Sequence, residues 1–245
     1  MNTTVGLDRC FSFIHCQLQS PKPHRPEEAG VVRCITISRQ SGCGAHVFAE
    51  ELARRLQSHS PESPAPWTIF DRTLVEAVLQ DHHLPTRLAA FMPEDKVSQL
   101  GDIIQDLFSV HPPTETLVRQ TSETILHLAE LGNVIILGRG ANVITARLPQ
   151  VLHVRLIGSV ELRANHLQVF DKLDKKDALA RIAREDGGRW RYLKRYFGKD
   201  IDDPLLYHMV INTDWVTLRQ AAATVAELAL TRRAPGAAMP AKEAA

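Results

Sequence analysis

The chain has 245 residues, 29 basic and 28 acidic side chains and a formal net charge of +1, a balance that excludes a histone-like polycation. An apolar content of 44% with 23% charged residues excludes wholesale disorder. No apolar run reaches the roughly 20 residues of a membrane-spanning helix. The four cysteines (Cys10, Cys16, Cys34, Cys43) lack zinc-ligand spacing, and the apolar patch CFSFIHC is too short and polar for a secretion signal. A cytoplasmic setting is expected.

In chain order, residues 1–30 end in the proline-rich SPKPHRPEEAG and are expected to form a disordered extension; residues 233–245 are expected to form a disordered tail. Between them lies one domain, residues 31–232. Five short runs rich in Val and Ile are the expected strands: RCITIS (33–38), WTIF (67–70), NVIILG (133–138), VLHVRLIG (151–158) and YHMVINT (207–213). They are nearly continuous in apolar character rather than alternating, as strands buried on both faces of a parallel sheet are. Helical periodicity fills the segments between them. In VFAEELARRL, Val47, Phe48, Leu52 and Leu56 are expected to share the buried face. The stretch 114–132 carries Thr114 as N-cap and Gly132 as its stop, and 217–233 places Arg232 and Arg233 in a last turn. The expected fold class is a three-layer α/β arrangement with about five parallel strands. Residues 71–131 are expected to form a helical insertion and 171–200 an Arg-rich, Gly-interrupted mobile segment.

The first strand runs directly into RQSGCGAH and a helix, the geometry in which backbone N–H groups and the helix dipole hold phosphate. Against G-x-x-x-x-G-K-[ST], Gly44 takes the second glycine, Arg39 the first, Ala45 the lysine and His46 the Ser/Thr. These residues alone fit a degenerate phosphate loop and a ligand-free Gly-rich turn equally.

ITISRQSGCGAHVFAEELARRL resembles the first strand, loop and helix of the cytidylate kinase-like family, whose loop also lacks the lysine. The resemblance continues through FDRTLVEAVL, ILGRGANVI, LPQVLHVRLIGSVELR and DPLLYHMVINT, covering about residues 33–230. It implies a P-loop kinase fold and a phosphotransferase that uses ATP, with Mg²⁺ carried by the nucleotide phosphates and CMP or dCMP as acceptor. Arg39, Gln40, Ser41, Gly42, Cys43, Gly44, Ala45 and His46 are then the donor-phosphate loop. Ala45 and His46 depart from the family's Gly and Arg, which removes a positive charge from that loop.

Asp71 and Arg72 follow the second strand, where the resemblance assigns Asp71 to the acceptor site and local sequence allows it equally to cap a helix. Arg139, in GRGAN after an apolar strand, has little structural reason to be there, and the resemblance gives it the acceptor phosphate. The stretch 163–199 holds eleven basic and five acidic residues. Within it RIAREDGGRWRYLKRYFG resembles a kinase lid, with Arg184 and Arg189, then Arg181, as the residues that close on the transferring group. A catalytically impaired nucleotide-binding protein of the same fold, or a kinase of another small acceptor, stands as the alternative. Nucleic acid and membranes are disfavoured as partners, and the histidines show no ligand spacing.

Overall fold

The computed structural model describes residues 12–13, 32–59, 65–71, 94–109 and 116–232. Five strands, β1 (Cys34–Arg39), β2 (Thr68–Phe70), β3 (Val134–Leu137), β4 (Val151–Ile157) and β5 (Met209–Asn212), lie within two residues of the expected runs. All pair in parallel, in the order β2-β3-β1-β4-β5. Cys34 of β1 is level with Val134 of β3 and Val151 of β4. Because β1 lies between them, connections leave it towards both edges. The crevice at its carboxyl end is the topological switch point where open α/β sheets take ligands.

Alternation along the strands divides the core. Ile35, Ile37, Ile135, Leu137, Leu152, Val154 and Leu156 face α1 (Ala45–His59) and α7 (Leu218–Thr231). Cys34, Val134, Ile136 and Val151 face α2 (Glu94–Leu107), α3 (Thr116–Leu131) and the end of α6 (Lys175–Phe197). With helices on both sides, β1, β3 and β4 have no wet face, which is why they read as unbroken apolar runs, whereas the edge strand β5 exposes Val210. The short α4 (Ala141–Ile144) and α5 (Val160–Asp171) follow β3 and β4. No described helix is long and apolar enough to cross a membrane.

Some expectations are corrected. Val47 is 55% exposed; the buried stripe of α1 is Ala45, Phe48, Ala49, Leu52 and Leu56, the i, i+3, i+4, i+7, i+11 series of one helix face. The lid is not interrupted at its glycines: α6 runs straight through Gly187 and Gly188. Each glycine costs about 1 kcal/mol against alanine, but Glu185 is paired with Arg181 and Arg189, and Asp186 with Arg189, across the same turns. Arg232 is a C-cap rather than a last-turn residue, its Nη1 donating to the Val151 carbonyl (2.8 Å). Phe13, within the expected disordered extension, is buried in the core and meets Phe70 edge-on at 5.9 Å between ring centroids. Apart from Ser12 the rest of 1–30, Thr114, Arg233 and the tail lie outside the described residues, as do 72–93 and 110–115 of the insertion.

A polar stripe crosses the centre of the sheet. Thr36 and Ser38 on β1 lie level with His153 and Arg155 on β4, and all four are buried. Thr36 Oγ1 is 2.8 Å from His153 Nδ1, and the His153 backbone N–H donates to His208 Nδ1 (2.8 Å), the two rings stacking at 4.8 Å. Burial first, then the nearby His208 and Arg232, pushes the His153 pKa from 6.5 to about 3. His153 is therefore neutral in the fold and takes a proton on unfolding, so acid favours the unfolded chain. The penalty begins as pH falls below 6.5 and grows down to about 3. Between pH 7 and pH 5 it amounts to about 2 kcal/mol. Urea unfolding at those two pH values should show a loss of at least that order, which His153→Gln reduces by about 2 kcal/mol while the lowered pKa values of His127 and His208 supply a remainder.

Candidate functional site

The site is built where β1 ends. Gln40 N–H donates to the Leu156 carbonyl (3.0 Å), so the chain is still tied to β4 as it enters the turn. The Gln40 side-chain oxygen accepts from the Gly158 N–H (3.0 Å), joining the turn to the loop that follows β4. Gly42 has a φ of 86°, and a Cβ there would meet the Arg163 carbonyl oxygen at 2.5 Å, so both conformation and space require glycine. The turn closes at Gly44, and α1 begins at Ala45, buried, with His46 exposed beside it. Burial, opposed chiefly by Thr213, pushes the Cys43 thiol up and leaves it protonated.

Arg39, the last residue of β1, does not fold back over this turn. Its guanidinium passes Gly138, where a Cβ would overlap it, towards the carboxyl ends of β3 and β2. Burial first, then Arg189, brings its pKa from 12.5 down to about 10, with Arg139 adding to the fall and Glu185 and Asp71 opposing it. Arg139 has a positive φ of 56°, an uncommon conformation that turns the chain sharply after β3. Arg39, Arg139, Asp71, Glu185 and Arg189 thus share one electrostatic neighbourhood at the switch point. Arg72 lies outside the described residues.

A continuous chain of ion pairs reaches this neighbourhood along α6. Asp171 pairs with Arg181 (2.7 Å), Arg181 with Glu185 (2.8 Å), Glu185 with Arg189 (2.9 Å), and Arg189 with Asp186 (2.9 Å). Asp186 pairs in turn with Arg163 (2.6 Å). The two carboxylates end on the loop itself. The Ser41 N–H donates to Asp186 Oδ1 and the Ser41 hydroxyl to Glu185 Oε2, both at 2.7 Å. Burial would raise the Glu185 pKa, but hydrogen bonds from Ser41, Arg181 and Arg189 outweigh it and hold the pKa at about 2. Of the lid arginines picked from the sequence, Arg181 and Arg189 join this network. Arg184 lies exposed on the helix and has no ion pair among the described residues.

Two arginines missed by sequence reasoning complete the arrangement. Arg163, buried at the start of α5, donates from Nε to the Gly158 carbonyl (2.9 Å) and from Nη1 to the Ser41 carbonyl (3.1 Å). Its place in VELR, inside a stretch that carries the family resemblance, was the available signal. Arg155, buried on β4, donates to Ser38 Oγ (2.8 Å) and Asp202 (2.6 Å) and lies 5.5 Å from the Tyr207 ring centre. Arg39, Arg155, Arg189 and Trp190 line a cleft of about 230 Å³ whose remaining wall includes Gln40, Asp186 and Asp202. Such a cleft, basic and without a strong nucleophile, suits a reaction in which charge is neutralised and groups are positioned. No group of three His, Cys, Asp or Glu that could hold a metal occurs among the described residues.

The family model described as "Cytidylate kinase-like family" matches residues 34–215. A cytidylate kinase of Methanocaldococcus jannaschii is 20% identical over 143 residues, 58% of this chain and 80% of that enzyme. Among solved structures, an uncharacterized protein from Eubacterium ventriosum has the same fold, with a TM-score of 0.54 and 19% identity over 82% of this chain and 99% of its own. A shikimate kinase from Bacteroides thetaiotaomicron has a TM-score of 0.42 and 12% identity, over 80% of this chain and 97% of its own.

Proposed function

This chain belongs to the cytidylate kinase-like family, and from that premise we propose that it transfers a phosphoryl group from ATP to a nucleoside monophosphate, CMP or dCMP. The observation that carries the reading is the convergence of Arg39, Arg139 and Arg189 at the carboxyl end of β1, beside a loop that offers backbone N–H groups at a helix start. In this reading residues 39–46 receive the donor phosphates, and Mg²⁺ arrives on them as part of the substrate. Arg139 and Asp71 hold the acceptor. Arg39 spans donor and acceptor sides, and Arg189, with Arg181 behind it, closes from the lid to neutralise charge on the transferring group and exclude water. A second reading, a nucleotide-binding protein without turnover, draws support from the loop, where Ala45 stands at the lysine position and Arg39 leans away towards Gly138.

The test is ADP formation from MgATP with a panel of nucleoside monophosphates. Turnover dependent on CMP or dCMP is expected, with Arg139→Ala raising the acceptor KM on the order of 100-fold while leaving ATP affinity unchanged. ATP binding without turnover on any acceptor would replace the kinase reading with the second one.

A further inference from the structure

We propose that the Ser41 donors, with Arg163, Arg181 and Arg189, form a phosphoryl site whose present occupants are the chain's own carboxylates, Glu185 and Asp186, and that an entering phosphoryl group must exchange with them. The proposal rests on the phosphotransferase reading and adds a regulation to its site. Glu185 and Asp186 stand on a long, mostly exposed helix whose other acidic residue, Asp177, stays in solvent. These two instead reach across to a turn more than 140 residues away, where the two donors of one buried residue, Ser41, each take one carboxylate oxygen at 2.7 Å.

Three guanidinium groups surround the pair, and Asp171 balances Arg181 from its outer side. Arg189 gives one nitrogen to each carboxylate, Arg181 gives Nε to Glu185, and Arg163 gives Nη1 to Asp186. Every donor used here is one that binds a phosphoryl oxygen equally well. Arg189 spends one N–H of each terminal nitrogen on the carboxylates, and those two donors turn to a substrate only when the carboxylates let go. A phosphoryl group brings three oxygens to the same donors. By taking the Ser41 N–H and hydroxyl it frees Glu185 and Asp186, loosens the hold of α6 on the loop and releases Arg189 to follow the incoming charge. Donor binding and lid movement are therefore one event. In the phosphate-free chain the lid is held against the loop by a contact that lowers phosphate affinity.

Inorganic pyrophosphate is the probe, titrated calorimetrically against the full-length protein and against Glu185→Gln and Asp186→Asn. Each amide keeps the side chain's shape and an acceptor oxygen but removes the competing charge. Exchange predicts that each variant binds pyrophosphate roughly tenfold more tightly, because the closed state no longer opposes the ligand. Weaker or unchanged binding in variants that keep the wild-type circular dichroism would overturn the proposal, since carboxylates that merely position arginines lose affinity when neutralised. A second readout does not depend on those variants. In a Trp67→Phe, Trp215→Phe background, Trp190 alone emits, next to Arg189, and its emission should change as pyrophosphate binds. Binding without that change would sink the exchange. If no nucleoside monophosphate is ever phosphorylated yet the variants bind pyrophosphate more tightly, the kinase reading falls and the exchange stands. Turnover on CMP without tighter binding in the variants is the reverse case.

Discussion

Arg163→Ala should be among the most destabilising single substitutions in this chain, with a loss of about 3 kcal/mol measured by denaturant unfolding. The guanidinium is 5% exposed and its partner Asp186 26%. It also satisfies the carbonyls of Ser41 and Gly158, so one side chain ties the turn after β1, the end of β4 and α6 together. Truncation strands two carbonyls around a cavity and leaves Asp186 to Ser41 and Arg189, which with its partial exposure keeps the loss below that of a fully buried pair. Arg163→Lys keeps the charge but lacks the planar fork that reaches several acceptors, so it should recover only part of the loss. Adding Asp186→Asn to Arg163→Ala should also restore part of it, because the Oδ2 that Arg163 held no longer carries charge. A loss under about 1 kcal/mol for Arg163→Ala would mean that water replaces the strut without difficulty.

The contrast between Arg163 and the strands marks how far the chain could be read from its residues. Strands buried on both faces must be continuous apolar runs, and RCITIS, NVIILG and VLHVRLIG are such runs, so the sheet was legible to within two residues. The glycines of the turn were legible too, since a positive φ at Gly42 and Gly44 leaves few other choices. Pairings over long sequence separation were not. Ser41 meets Glu185 and Asp186 across 144 and 145 positions, and no local period announces that. The lid arginines show the same limit within one helix. Arg181, Glu185 and Arg189 recur every four residues and share a face, whereas Arg184 projects about 100° from Glu185. Spacing groups Arg181 with Arg189, but only packing decides which face meets the loop. Phe13 was missed because one buried aromatic in an aperiodic stretch leaves no pattern.

Arg39→Met should reduce phosphoryl transfer by about 100-fold to 1,000-fold, the effect of removing one preorganised charge from a transition-state site, while leaving the fold as stable as before or more so. The two halves of that expectation share one cause. Burial and then Arg189 lower the Arg39 pKa from 12.5 to about 10, so the folded protein holds this cation at a disadvantage compared with the unfolded chain. It remains fully charged at neutral pH, because about 10 is still three units away. Holding an Arg beside Arg189 and Arg139, with Glu185 and Asp71 in opposition, is unfavourable without an anion and favourable with one. Replacing it by an apolar side chain of similar length removes the repulsion and the desolvation but leaves the incoming phosphates without a neutralising charge. Arg39→Lys should fall between the two, since an ammonium supplies the charge without the bidentate fork. Steady-state kinetics with MgATP and CMP, paired with denaturant midpoints for the same three proteins, separate the effects. Turnover within tenfold of wild type in Arg39→Met would remove Arg39 from the chemistry; a large fall in stability would show that its cluster is a structural one.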